Sequence, residues 1–146
     1  MNDKLPTMSK LGVVFLTWRR YLQRKLNSHK ITLKQLYVLR QLEKCEFLYP
    51  SQIADMLFCD RPTATVVIKN LEREGWVTKE KDHENSKQVK VFLAPEGHQK
   101  LLSLKNGSKL PVEEVDPLEC FTIEEKQQFD QLISKLDRYI AKLEDK

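Results

Sequence analysis

The chain has 146 residues, 40% of them hydrophobic and 32% charged, with a formal net charge of +4. That composition fits about one soluble, ordered domain with material for a core and excludes a disordered chain. No apolar run approaches the roughly 18 residues of a spanning helix, and residues 1–10 lack a signal-peptide pattern. The three cysteines, Cys45, Cys59 and Cys120, are odd in number and form no CxxC, which argues against a disulfide framework or a zinc site. The expectation is a reducing, cytoplasmic setting with no membrane partner, no metal and no cofactor.

Charge is unevenly spread. Residues 1–49 hold ten Lys/Arg against three Asp/Glu, residues 50–93 hold seven of each, and residues 94–146 hold eight against eleven. Residues 8–28 read as a helix: Leu11, Val14, Phe15, Trp18, Leu22 and Leu26 recur at helical spacing, and Val13, Leu16 and Tyr21 widen the apolar surface. A helix apolar over more than one face packs on two partners. Its basic end, Arg19, Arg20, Arg24 and Lys25, reads as a solvated face.

Thr32-Leu33-Lys34-Gln35 is a capping box that opens a second helix to about residue 45, with Leu36, Val38, Leu39 and Leu42 as its apolar set. Residues 46–49 form a short loop. Pro50 suits the first position of a third helix, 50–58, in which Ile53, Ala54, Leu57 and Phe58 make a stripe. Only Cys59 and Asp60 separate it from a fourth. There Asp60 caps the N-terminus, Pro62 fits the first turn and Gly75 supplies a left-handed stop. Ala64, Val67, Ile68 and Leu71 form the inward stripe of this helix. The outward face carries Pro62, Val66, Lys69 and Arg73, flanked by Thr65 and Asn70. Amides and hydroxyls suit base edges, Val can meet a thymine methyl, and Lys and Arg suit phosphates. A short helix, a tight turn and a second capped helix form a helix-turn-helix pattern.

After Gly75 the period switches to 2. Residues 76–81 and 88–93 read as strands joined by the polar, turn-prone DHENSK. Lys79, Lys81, Lys87 and Lys90 crowd this hairpin, which follows the capped helix directly as a wing would. Pro95-Glu96 opens a further helix with Leu101, Leu102 and Leu104 apolar. Residues 106–121 are a breaker-rich loop, in which Asn106-Gly107-Ser108 is read as a turn. Thr122-Ile123-Glu124-Glu125 is a second capping box. It begins a final helix whose Phe129, Leu132, Leu136, Ile140 and Leu143, supported by Ile133 and Tyr139, suit packing on another chain.

The order of elements resembles the MarR family of bacterial and archaeal regulators over nearly the whole chain. Its most specific part is PSQIADMLFCDRPTATVVIKNLEREGWVTKEKDHENSKQVKVFLAPEGHQKL. This block holds the helix-turn-helix, the L-E-x-x-G of Leu71 to Gly75, Asp82 leading the wing loop, and Gly97 early in the next helix. LECFTIEEKQQFDQLISKL is similar to the family's last dimerisation helix. Two departures remove arginines: Thr65 is followed by Val66 where the family often has Thr-Arg, and Asn85-Ser86-Lys87 stands for the wing's Asp-Arg-Arg.

The resemblance implies a mainly α fold with a small β-hairpin wing (α+β), a winged helix-turn-helix at 32–105 and dimerisation regions at 1–31 and 106–146. It implies a homodimer on a pseudo-palindromic double-stranded DNA operator, acting as a repressor. Arg61, Thr63, Thr65, Val66 and Asn70 would lie nearest bases. Lys69, Arg73, Lys79, Lys81, Lys87 and Lys90 would lie nearest phosphates, joined by Ser51 and Gln52 at the start of the third helix. It further implies a small aromatic effector in a crevice that Trp18, Tyr21 and Tyr37 could line, against which stands plain core packing.

Two alternatives keep the fold. Cys59, beside a helix N-terminus, could sense oxidation, or the winged domain could bind protein without DNA. An enzyme is not expected, since no phosphate loop, metal triad or nucleophile elbow is present and His29, His83 and His98 lack partner sets.

Overall fold

Thr32 caps the helix around which the first unit is built. In the computed structural model, which describes residues 3–145, its hydroxyl accepts the N–H of Gln35 at 3.1 Å while the Gln35 side chain accepts the N–H of Thr32 at 2.9 Å. Both orphan donors are thereby satisfied. The elements in order are α1 (Thr7–Leu26), a 3-10 turn (Asn27–His29), α2 (Leu33–Lys44), α3 (Pro50–Met56), α4 (Arg61–Arg73), β1 (Val77–Lys81), β2 (Val89–Leu93), α5 (Pro95–Leu104), a second 3-10 turn (Pro111–Glu113) and α6 (Ile123–Glu144). The chain divides into two units, one running through Glu114 and the other beginning at Val115.

The core of the first unit draws one face from each of its helices. Leu22 and Leu26 come from α1, Leu36, Val38, Leu39 and Leu42 from α2, and Ile53 and Ala54 from α3. Ala64, Val67, Ile68 and Leu71 come from α4, and Leu101 and Leu104 from α5. Val77 and Val91 close it from the hairpin. The inward stripe of α4 is the expected one, and Leu71 is fully buried. Leu102, grouped with these leucines by its sequence, is instead exposed.

β1 and β2 pair antiparallel, Val77 opposite Leu93 through Lys81 opposite Val89. Residues 46–49, expected to be a plain loop, do more. Leu48 donates its N–H to the Val91 carbonyl at 3.0 Å and accepts the Val91 N–H at 2.8 Å, adding a one-residue bridge to the far side of β2.

Both helices of the helix-turn-helix end in the same motif, in which two N–H groups beyond the helix satisfy its last carbonyls. At the end of α4, Gly75 (φ 77°) and Trp76 donate to Glu72 and Leu71. At the end of α3, Phe58 (φ 51°) and Cys59 donate to Asp55 and Ala54. This corrects the expected 50–58 stripe. The helix stops at Met56, Phe58 takes the left-handed position that glycine usually fills, and its ring is 97% exposed.

In the second unit α6 opens on the expected capping box, with the Thr122 hydroxyl accepting the Glu125 N–H at 3.2 Å. Asp116 accepts the Leu118 N–H at 2.9 Å and pairs with Lys126 at 3.1 Å, and Phe121 meets Phe129 edge to face. No residue of α6 is buried, and Leu132, Tyr139 and Leu143 are each more than half exposed.

Candidate nucleic-acid interface

The outward face of α4 follows from its cap and its stripe. Asp60 Oδ1 accepts the Thr63 N–H at 2.7 Å. Hydrogen bonds from the Thr63 side chain and backbone, with help from nearby Lys34, hold the Asp60 carboxyl below its usual range. A charged cap at the positive end of the helix dipole is the favourable arrangement. With Ala64, Val67, Ile68 and Leu71 committed to the core, Arg61, Thr65, Val66, Lys69 and Arg73 are left exposed. Thr65 spends its hydroxyl hydrogen on the Arg61 carbonyl at 2.9 Å, which leaves oxygen lone pairs to accept.

Four of the expected contact residues meet in one place. Ser51, Arg61, Thr65 and Lys87 line a cleft of about 270 Å³ between the start of α3, the start of α4 and the wing, together with Tyr49 and Gln88. Neither Tyr49 nor Gln88 is among the residues expected to meet DNA. Asn70 is not in this cleft. It is half-buried and lines a separate recess with Arg19, Thr32 and Lys34. Thr63 is half-buried and Gln52 is exposed, its side chain accepting the Tyr49 N–H at 2.8 Å.

The hairpin lysines fall into two groups. Lys81 and Lys87 are exposed. Lys79 pairs with Glu72 of α4 at 3.3 Å. Lys90 lies 3.9 Å from Asp82 and 4.4 Å over the Phe47 ring, so its charge is already partnered. Asp82 is only 5% exposed; it accepts the Tyr49 hydroxyl at 2.8 Å and the Glu84 N–H at 3.0 Å. Those bonds, the Glu84 one foremost, lower its carboxyl pKa, and the same contact raises that of the Tyr49 phenol. The sequence did carry a signal for this corner: the β-prone Phe47 and Tyr49 flank the apolar Leu48 at a spacing of two.

A second cavity, of about 470 Å³, lies among α1, α2 and the end of α3. Trp18 and Tyr37 line it with Phe15, Met56, Leu57 and Phe58, and Arg19 and Lys34 bring positive charge to its wall. Tyr21 is outside the lining and stacks on Trp18 at 5.3 Å. Cys59 is half-buried and packs against the core.

Capped helix pair and braced hairpin together make a winged helix-turn-helix, and comparison with known proteins places it further. The model of the MarR family matches residues 31–89. An uncharacterized HTH-type transcriptional regulator of Bacillus subtilis, YybA, is 30% identical over 107 residues, covering 73% of this chain and 69% of that protein. The HTH-type transcriptional regulator TtmR of Methylorubrum extorquens is 36% identical over 72 residues, 49% of this chain but 37% of that longer protein. A crystal structure of a mutant MarR from E. coli complexed with operator DNA superposes with a TM-score of 0.74 at 19% identity, covering 92% of this chain and 96% of that one. The chain belongs to the MarR family. Family and fold are those of transcriptional regulators and not of enzymes.

Proposed function

We propose that this regulator binds double-stranded DNA as a homodimer, with α4 of each copy in the major groove of a pseudo-palindromic operator and the wing against the backbone. The observation that carries the reading is the division of α4. Its apolar stripe is spent on the core, while Arg61, Thr65, Val66, Lys69 and Arg73 stand outward beside Ser51 and Lys87. Cations reach phosphates and the small polar and apolar groups reach base edges. Exposed apolar residues on α1 (Val13, Val14, Phe15, Leu16) and on α6 (Leu132, Tyr139, Leu143) support a second copy as their cover. Recognition helices about 34 Å apart then meet successive grooves. Repression in the cytoplasm is the mode of action proposed.

The cavity lined by Trp18 and Tyr37 supports control by a small aromatic acid: apolar walls take the ring, and Arg19 and Lys34 face its charge. Such a ligand releases DNA only by favouring one dimer arrangement over the other. Selection from random duplexes, followed by salt titration and sedimentation, tests the whole reading. A dimer that enriches a two-fold site, with affinity falling steeply as log salt rises, is expected. A monomer, or a dimer with no salt-dependent duplex binding, overturns it in favour of a winged domain that binds protein.

A further inference from the structure

Among the described residues Asp82 is the one charged side chain that is buried, and it sits where the wing leaves the body. A buried carboxylate persists when its lone pairs are filled and its charge is met. Here the Glu84 N–H fills one oxygen, the Tyr49 hydroxyl fills the other, and the Lys90 ammonium stands at 3.9 Å. The Lys90 ammonium also lies 4.4 Å over the Phe47 ring, which meets Tyr49 edge to face at 5.2 Å. The wing loop itself is closed by its backbone, Asp82 donating to Gln88 and Gln88 to Asn85. Asp82 thus ties the start of the wing loop by a side-chain hydrogen bond to Tyr49, the residue immediately before Pro50 of α3.

We propose that Tyr49, Asp82 and Lys90 form a latch that sets the pitch of the wing against the helix-turn-helix, and that Tyr49 and Lys90 serve DNA binding as positioning residues without touching nucleic acid. The positioning role rests on the DNA reading above; the latch does not. Tyr49 lines the same cleft as Ser51, Arg61, Thr65 and Lys87. Fixing the wing there holds the Lys87 side of the cleft at a constant distance from the α4 side, so one phosphate run can meet both. Lys90, its charge met inside the protein, adds nothing to the count of phosphates neutralised.

The test is Tyr49→Phe, which removes one oxygen and keeps the ring, read in two ways on the full chain. In the free protein, amide exchange over residues 83–88 is expected to quicken at least about tenfold, the lower end of what one hydrogen bond to a charged group supplies. Unchanged exchange there overturns the latch. On duplex DNA, Lys87→Gln is expected to cost much less in the Tyr49→Phe background than in the wild type, while Lys69→Ala costs the same in both. Lys90→Met is expected to weaken binding yet leave the salt slope as it was, whereas Lys87→Gln lowers the slope by about one. Additive effects of Tyr49→Phe and Lys87→Gln, or a slope lowered by Lys90→Met, overturn the positioning role. A wild-type protein that binds no duplex removes that role together with the DNA reading, and the exchange measurement still decides the latch.

Discussion

Gly97 lies directly against the backbone of Trp76. The Trp76 carbonyl accepts the Ala94 N–H at 2.9 Å just ahead of α5, and a methyl group at Gly97 would collide with that oxygen and come within 2.8 Å of the Leu93 side chain. Backbone cannot step aside as a side chain can. Gly97→Ala is therefore expected to cost at least the upper part of the about 1–3 kcal/mol range for overpacking, seen as a lowered urea midpoint. An unchanged midpoint would mean that α5 does not sit this close to the end of α4.

Two positions on one helix should behave in opposite ways. Leu71 is fully buried, and Leu71→Ala is expected to lose about 2–5 kcal/mol of stability. Val66 is 56% exposed, and Val66→Ala should change stability by no more than about 0.5 kcal/mol. If Val66→Ala unfolds the protein as readily as Leu71→Ala, the face assigned to DNA is a packing face.

Phe58 offers a gain. Its φ of 51° is a conformation that L-residues resist, and its ring, 97% exposed, returns almost no burial. Phe58→Gly is expected to raise stability by about 1 kcal/mol or less, since relief of the left-handed strain is partly offset by the freer unfolded chain. Calorimetry reads the result; a fall in melting temperature would assign the ring a partner within the fold.

The Tyr49–Asp82 pair sets a pH window. The folded Asp82 carboxyl binds its proton less readily than an ordinary aspartate at 3.8, so its contribution is complete above that pH and is lost as pH falls through the folded value. The Tyr49 phenol is raised above 10.0, so its contribution is complete below that pH and is lost as pH rises through the folded value. Wing protection in amide exchange, corrected for intrinsic rates, should be flat between these limits. Asp82→Asn should abolish the acid-side loss. A transition near neutrality would point to another group.

For DNA, Lys69→Ala and Arg73→Ala should weaken binding on every sequence and lower the salt slope by about one each. Thr65→Ala and Val66→Ala should instead change which sequences are preferred, by about 1–3 kcal/mol per altered base pair. A competition assay at two salt concentrations separates the pairs. If all four act alike on every sequence, α4 lies on the backbone and reads nothing.

What the sequence made legible was local. Thr32, Asp60 and Thr122 each announce a helix through a bond three residues away, and all three bonds are present. The α4 stripe and both strands needed nothing beyond periodicity. Phe58 misled because an apolar residue in phase with Ile53 and Ala54 looks buried, whereas the end of α3 is set by backbone hydrogen bonds indifferent to that side chain. Lys79 and Lys90 look like their neighbours Lys81 and Lys87 in a charge count; only the fold brings Glu72 and Asp82 beside them. The Tyr49–Asp82 bond spans 33 positions, and no local pattern encodes a pairing of that reach.

The bridge from Leu48 to Val91 bears on how the protein stays apart from its own kind. It shields β2 at its centre, so the hairpin's longest open border is the outer side of β1, where among the described residues no further strand pairs. Unclaimed strand borders invite other chains to add on, and hydrated ammonium groups discourage it. Lys81 stands exposed on that border, so a lysine otherwise counted for its attraction to phosphate also guards a crowded solution of these molecules against stacking wing upon wing.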